Sequence, residues 1–173
     1  MNNILKEARP ILEITPYRWN NLVRSVSVEM LGLPPVLNEW SALDCLRHLV
    51  DAERQVFPVR IKALLAGQDF AAFDPDSQGT KPSSTQSPTD LVADFAALRV
   101  LNLALFDQIT ESDLTRQARH QELGIVSMSE LLHEWAGHDL MHTVQAERAL
   151  MQPFIRGCGP WLSYFQDHVA ASS

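Results

Sequence analysis

The stretch Ser127-Met128-Ser129-Glu130-Leu131-Leu132-His133-Glu134-Trp135-Ala136-Gly137-His138-Asp139-Leu140-Met141-His142 decides how the rest of the chain is read. Ser127 followed three residues later by Glu130 is a capping box: the hydroxyl accepts from the N3 amide and the carboxylate reaches back to the N-cap amide. That signal opens a helix, which the pattern predicts to run to about Met151, with Pro153 ending it.

Comparable punctuation lies upstream. Ser87-Pro88 pairs an N-cap with proline at the first helical position, and Leu91, Val92, Phe95, Leu98, Leu101, Leu105, Phe106 and Ile109 follow as a strongly amphipathic helix. Ser41 with Asp44 opens another, whose stripe is Leu43, Leu46, Leu49, Val50, Glu53, Val56 and Phe57. Pro58 should kink that helix, which resumes through Leu65 before Gly67. Thr15-Pro16 starts a first long helix carrying Trp19, Leu22, Val23, Val26 and Met30, stopped by Gly32-Leu33-Pro34-Pro35. The residues from Ile4 to Ile14 read as a short preceding helix broken at Pro10.

The remaining segments are connections. Gly67 to Ser87 holds Asp74-Pro75-Asp76, Gly79, Pro82, Ser83 and Ser84 with little apolar periodicity, and so long a link suits a crossover along a bundle. Thr110 to Val126 is a polar connection, and Gly157, Gly159 and Pro160 precede a short helix at Trp161-Leu162-Ser163-Tyr164-Phe165 that caps one end. No repeat or strand-like alternation competes. The expectation is an all-α four-helix bundle, one domain over residues 1–173, with a long crossover between helices two and three and a short C-terminal capping helix.

Composition agrees: 46% hydrophobic and 20% charged residues in 173 suit one packed core. A net charge of -7 without any basic run argues against nucleic-acid binding, which draws on clustered Lys and Arg. No stretch is long enough to span a bilayer and the N-terminus lacks a leader pattern, so no membrane partner is expected and the cytoplasm is the expected compartment. Cys45 and Cys158 form no C-x-x-C motif and read as buried or idle thiols.

Spacing sorts the histidines. His138 and His142 are four apart, about 400° of rotation, so both imidazoles can reach one ion from one helix face, whereas His133 lies about 140° away. The segment reads H-E-x-x-x-H rather than H-E-x-x-H, which excludes a zincin peptidase. Glu134 shares a stripe with His138 and reads as a base, as an acceptor behind a ligand, or as a surface carboxylate. A third ligand has to come from another helix, and helix two offers His48 amid Leu46, Leu49 and Val50. Taken alone, His48 reads more readily as a neutral core histidine.

His120 and His168 lack partners at ligand spacing and are assigned to the surface. Trp40, Trp135 and Trp161 are either apolar pocket walls or, more commonly for this residue, core packing. Arg47, Arg54, Arg60 and Arg148 could each hold a carboxylate, and nothing in the sequence singles one out.

Two blocks carry a family resemblance. Asn38-Glu39-Trp40-Ser41-Ala42-Leu43-Asp44-Cys45-Leu46-Arg47-His48-Leu49-Val50-Asp51-Ala52-Glu53 resembles the DinB-like superfamily pattern of a tryptophan and small polar residue opening helix two, then His-Leu and an acidic residue. His138-Asp139-Leu140-Met141-His142-Thr143-Val144-Gln145 resembles that superfamily's H-x-x-x-H with glutamine three residues on. The resemblance implies that His48, His138 and His142 bind a divalent ion, with zinc, nickel or iron the leading candidates, beside a pocket at one end of the bundle. It further implies a metal-dependent enzyme acting on a small molecule, with transfer of a low-molecular-weight thiol to an electrophile as the leading activity. A metal-dependent hydrolase or isomerase, or a non-catalytic metal-binding stress-associated protein, are the alternatives. Pairing of bundles through apolar helix faces in that superfamily implies a homodimer.

Overall fold

The computed structural model describes residues 3–74 and 86–170. Four long helical units make the bundle: α1 (Ile4–Ser25), α3 (Ala42–Gln55) continued by α4 (Phe57–Ala66), α5 (Pro88–Phe106) and α6 (Met128–Gly157), with a short α2 (Val28–Leu31) after the first. The helices α1 and α3 each pack against both α5 and α6, so α1 and α3 sit diagonally across the bundle. Part of the expected crossover, residues 75–85, lies outside the described residues.

The capping signals are realised. Ser41 and Asp44, and Ser127 and Glu130, form reciprocal capping boxes, and the Ser87 hydroxyl accepts from the Asp90 amide. At Pro58 the helix does break: Val56 (φ -107, ψ -72) separates α3 from α4, which ends on Gly67 in the left-handed conformation (φ 65) that glycine adopts without Cβ strain.

The prolines elsewhere behave otherwise than expected. Pro10 and Pro16 both lie inside a continuous α1, and Pro153 lies inside α6, which runs on to Gly157. Thr15 is no N-cap; its hydroxyl donates to the Ile11 carbonyl at 2.7 Å within the helix. A helical proline removes the amide that would bond four residues back, so Pro16 leaves the Leu12 carbonyl without its helical donor. Arg99 Nη1 supplies the replacement at 2.6 Å. Tertiary contact therefore stabilises a helix that local propensity would interrupt.

The polar connection also holds structure that the sequence reading missed: a 3-10 turn at Glu111–Thr115 and an antiparallel hairpin of β1 (Gln117–His120) and β2 (Gly124–Ser127). The strands are four residues each, too short for alternation to stand out. Phe70 bonds alongside them, its amide donating to Arg119 O at 3.0 Å and its carbonyl accepting from Gln121 N at 3.2 Å. The tail forms a 3-10 helix at Gly159–His168 with no buried residue, tied to α6 through Gln152, whose Nε2 donates to His168 O at 2.9 Å.

The core divides in two. One cluster joins Leu12, Phe57, Leu64, Phe106, Leu132 and Trp135, and the other joins Trp19, Leu46, Leu49, Leu91, Phe95 and Leu150. Where they meet, α5 does not continue its expected stripe: Arg99 and Asn102 are buried, while Leu101, assigned to the stripe, is 68% exposed.

Candidate metal centre

The two capping boxes fix the start of the two helices that carry the histidines. His48 stands two turns into α3, and His138 and His142 lie on one face of α6. The structure brings these three together: His48 Nε2 and His138 Nε2 are 2.9 Å apart, and one ring nitrogen from each of the three lies within 4.8 Å of the others. Two imidazoles on a common ion at about 2.0–2.1 Å place their nitrogens about 3.3 Å apart at a tetrahedral angle, so the observed spacing fits a shared cation with a small adjustment.

Aromatic rings enclose the cluster. Trp40 stacks on His142 with ring centroids 5.7 Å apart, Phe57 meets the His138 ring edge-on at 5.4 Å, and Phe73 lies 6.5 Å from His48. Among the described residues no carboxylate joins the cluster.

This environment disfavours imidazolium. Burial, reinforced by His142, pushes the His48 pKa down to about 4. Burial with the neighbouring His142 and His48 pushes His138 down to about 2, and burial lowers His142 as well. Neutral imidazoles with free lone pairs are the form a cation needs. His142 Nδ1 lies 2.9 Å from Gln145 Oε1, and with that oxygen accepting, Nδ1 carries the proton and Nε2 keeps its lone pair. The Nδ1 atoms of His48 and His138 are buried without a hydrogen-bond partner among the described residues.

Behind the histidines lies a buried ionic network. Arg99 holds Asp139 with its two terminal guanidinium nitrogens and also donates to Glu53 Oε1 at 2.8 Å. Asn102 Nδ2 donates to Glu53 Oε2 at 2.9 Å, and Trp135 Nε1 donates to Glu53 Oε1 at 2.8 Å. Burial works against the Arg99 charge, but Asp139 and Glu53 outweigh it and hold its pKa above the ordinary value. Glu53 shares α3 with His48, and Asp139 follows His138, so one network ties together both histidine-bearing helices. The signal for it was present in the sequence as polar residues, Arg99 and Asn102, at core spacing between Phe95 and Phe106.

The other candidates separate. His133 is exposed, its Nδ1 2.8 Å from the carbonyl of Ser129, and does not join the cluster. Glu134 lies at the surface of α6 one turn before His138; crowding by protein atoms raises its pKa, with the Arg60 charge acting against the shift. His168 is exposed as expected, whereas His120, also assigned to the surface, is buried in the hairpin at 4% exposure. The hairpin was not foreseen, and it is what encloses that ring. Of the tryptophans, Trp40 lies at the site, Trp135 is wholly buried against Phe57, and Trp161 is exposed on the tail. Cys45 is buried, its thiol pushed up to about 12 by desolvation. On the outer side of His142 a groove of about 640 Å³ is lined by Trp40, Met141, Val144, Gln145 and Arg148.

The family model of the DinB superfamily matches residues 11–146. Among solved structures, the fold is similar to that of YfiT from Bacillus subtilis, described as "a probable metal-dependent hydrolase with an unusual four-helix bundle topology", with a TM-score of 0.74 and 20% identity over 87% of each chain. No curated protein matches the chain.

Proposed function

The chain belongs to the DinB superfamily, and from that premise we propose that it is a divalent-metal-dependent enzyme whose ion is held by His48, His138 and His142. The carrying observation is the convergence of one ring nitrogen from each histidine within 4.8 Å in an aromatic surround. Three neutral ligands leave a divalent ion strongly Lewis-acidic, the property that generates a water or thiol nucleophile near neutral pH. Zinc, nickel and iron all suit imidazole ligation.

The leading reaction is transfer of a low-molecular-weight thiol to an electrophilic small molecule. Trp40, Phe57 and Phe73 place apolar rings beside the histidines, a surround that suits a soft thiolate as nucleophile. Hydrolysis is the second reading, favoured by the likeness to YfiT, and a non-catalytic metal-binding role is the third. Among the described residues no helix is long and apolar enough to cross a membrane. The homodimer belongs to the same proposal, with Tyr17 and Val100, each 68% exposed on the α1 and α5 faces, as the surface it would cover.

Elemental analysis of the purified protein and of the single alanine variants tests the ligand set. His48→Ala, His138→Ala and His142→Ala each lose the ion, while His133→Ala keeps it; full occupancy in the His48 variant overturns the assignment. The metal-loaded protein is then incubated with a fluorogenic electrophile with and without added glutathione, bacillithiol or mycothiol. Thiol-dependent conjugation supports transfer, product without thiol supports hydrolysis, and neither supports the non-catalytic role.

A further inference from the structure

One histidine outside the cluster is held in a single tautomer. His120 Nδ1 lies 3.1 Å from the Glu122 amide and 3.3 Å from the Leu123 amide, both of which can only donate. Nδ1 is therefore the acceptor, and the neutral ring carries its proton on Nε2. That Nε2 faces Arg60 Nη2 at 3.3 Å, and a guanidinium also only donates. Two N–H groups, one on a 4% exposed ring and one on a half-buried arginine, thus converge where a single acceptor would serve both.

Phe70 packs against both groups. Phe70 stands edge-on to the His120 ring at 5.5 Å with an interplanar angle of 87°, and the Arg60 guanidinium lies 5.8 Å from the Phe70 centroid. Phe70 is pinned to the hairpin by two backbone hydrogen bonds. Among the described residues, Arg60 has no carboxylate within ion-pair distance, although Glu134 and Glu122 are near enough for their charges to act on it. Burial lowers the Arg60 pKa below its ordinary value, and those two carboxylates only partly offset the effect.

The pair is also close to the metal centre. Phe57, whose ring touches His138, is one turn before Arg60 on α4, a rise of about 5 Å. Phe73, which touches His48, is three residues beyond Phe70. One helix and one short segment therefore connect both sites.

We propose that Arg60 and His120 Nε2 form an oxyanion-binding subsite that takes a carboxylate of the small molecule whose reactive end lies at the histidine cluster. A carboxylate fits better than a phosphate because Glu122 and Glu134 stand nearby and repel a second negative charge. Only the assignment of that carboxylate to the substrate rests on the proposed function; the anion site itself stands on the donor geometry.

The test is a titration of the full chain with sodium acetate at constant ionic strength, followed by amide NMR, in metal-free and zinc-loaded protein. The Glu122 and Leu123 amides report on the His120 ring directly. Saturable acetate shifts of both amides in the two forms are expected. Arg60→Met and His120→Phe, each checked for a native-like spectrum, should weaken binding by about tenfold or more through loss of a charge-assisted donor. Shifts that rise linearly without saturation, or that persist unchanged in Arg60→Met, mean that the two donors serve a water molecule and overturn the site. Tighter binding of inorganic phosphate than of acetate overturns the carboxylate assignment. Saturation in metal-free protein, with no metal bound by the wild type, leaves the subsite standing while the metal reading fails.

Discussion

Arg99 grips Asp139 through Nη1 to Oδ2 at 2.7 Å and Nη2 to Oδ1 at 2.9 Å, and the carboxylate it holds belongs to the residue directly after His138. The same guanidinium fills the Leu12 carbonyl that Pro16 left without a helical donor. One buried side chain on α5 thus bonds to the other three long helices, beside the histidine cluster. Its two carboxylate partners are 2% exposed or less, so they depend on it for neutralisation.

Arg99→Met should therefore destabilise the protein by about 3–5 kcal/mol, the range seen when one partner of a buried pair is removed and the other charges stay. Urea unfolding at neutral pH measures it. Adding Glu53→Gln and Asp139→Asn to the same chain should recover part of the loss, since the orphaned charges go too. A cost in the range of about 0–1 kcal/mol, typical of surface pairs, would show that the network is solvated.

Gln145 orients the His142 ring. Its Oε1 fixes the His142 tautomer from 2.9 Å, and loss of such a partner typically lowers metal affinity by about 10–100-fold. Gln145→Leu should show that loss in competition with a chromophoric chelator, and Gln145→Glu, which keeps an acceptor at the same reach, should restore binding. Equal affinity in the leucine variant would mean that the His142 ring is held by packing on Trp40 alone.

Acid should act on the histidine cluster before it acts on the rest of the fold. The unfolded chain protonates these imidazoles as pH falls below 6.5, whereas folded His48 resists down to about 4 and His138 to about 2. Between those values the unfolded state binds more protons, so stability falls as pH drops from 6.5, and it is insensitive to these groups above it. Protons compete for the same lone pairs as the ion, so metal retention falls in the same direction. Thermal melts of metal-free protein across this window, compared with the His48, His138 and His142 triple alanine variant, isolate the effect; an identical pH profile in the variant would assign it elsewhere.

Ser41→Ala removes a buried N-cap whose hydroxyl and amide both bond the Asp44 carboxylate, at 2.6 Å and 3.1 Å. A loss of about 1 kcal/mol is expected from the cap. Ser27→Ala, at the start of the four-residue α2, should cost less, because little helix depends on it. Chemical denaturation of the two variants side by side checks the ranking, and equal losses would remove the capping box from the account of how α3 is positioned.

Local chemistry in the sequence was enough to determine where three helices start and which two histidines share a helix face. The caps at Ser41, Ser87 and Ser127 act over three residues, and the His138 and His142 spacing needs only the helical repeat. Gly67 and Pro58 mark a left-handed end and a helix break for reasons internal to their own backbones. Where distant groups had to supply a partner, local reading failed. Pro16 reads as a helix start until Arg99, 87 residues from Leu12, satisfies the Leu12 carbonyl that the proline orphans. His120 reads as a surface residue until a hairpin and Phe70 close over it. Arg99 and Asn102 interrupt an apolar stripe, and their partners come only from the core contacts with Glu53 and Asp139. A hydrogen bond or ion pair in a dry interior depends on both partners at once, and only the tertiary structure decides which partner arrives.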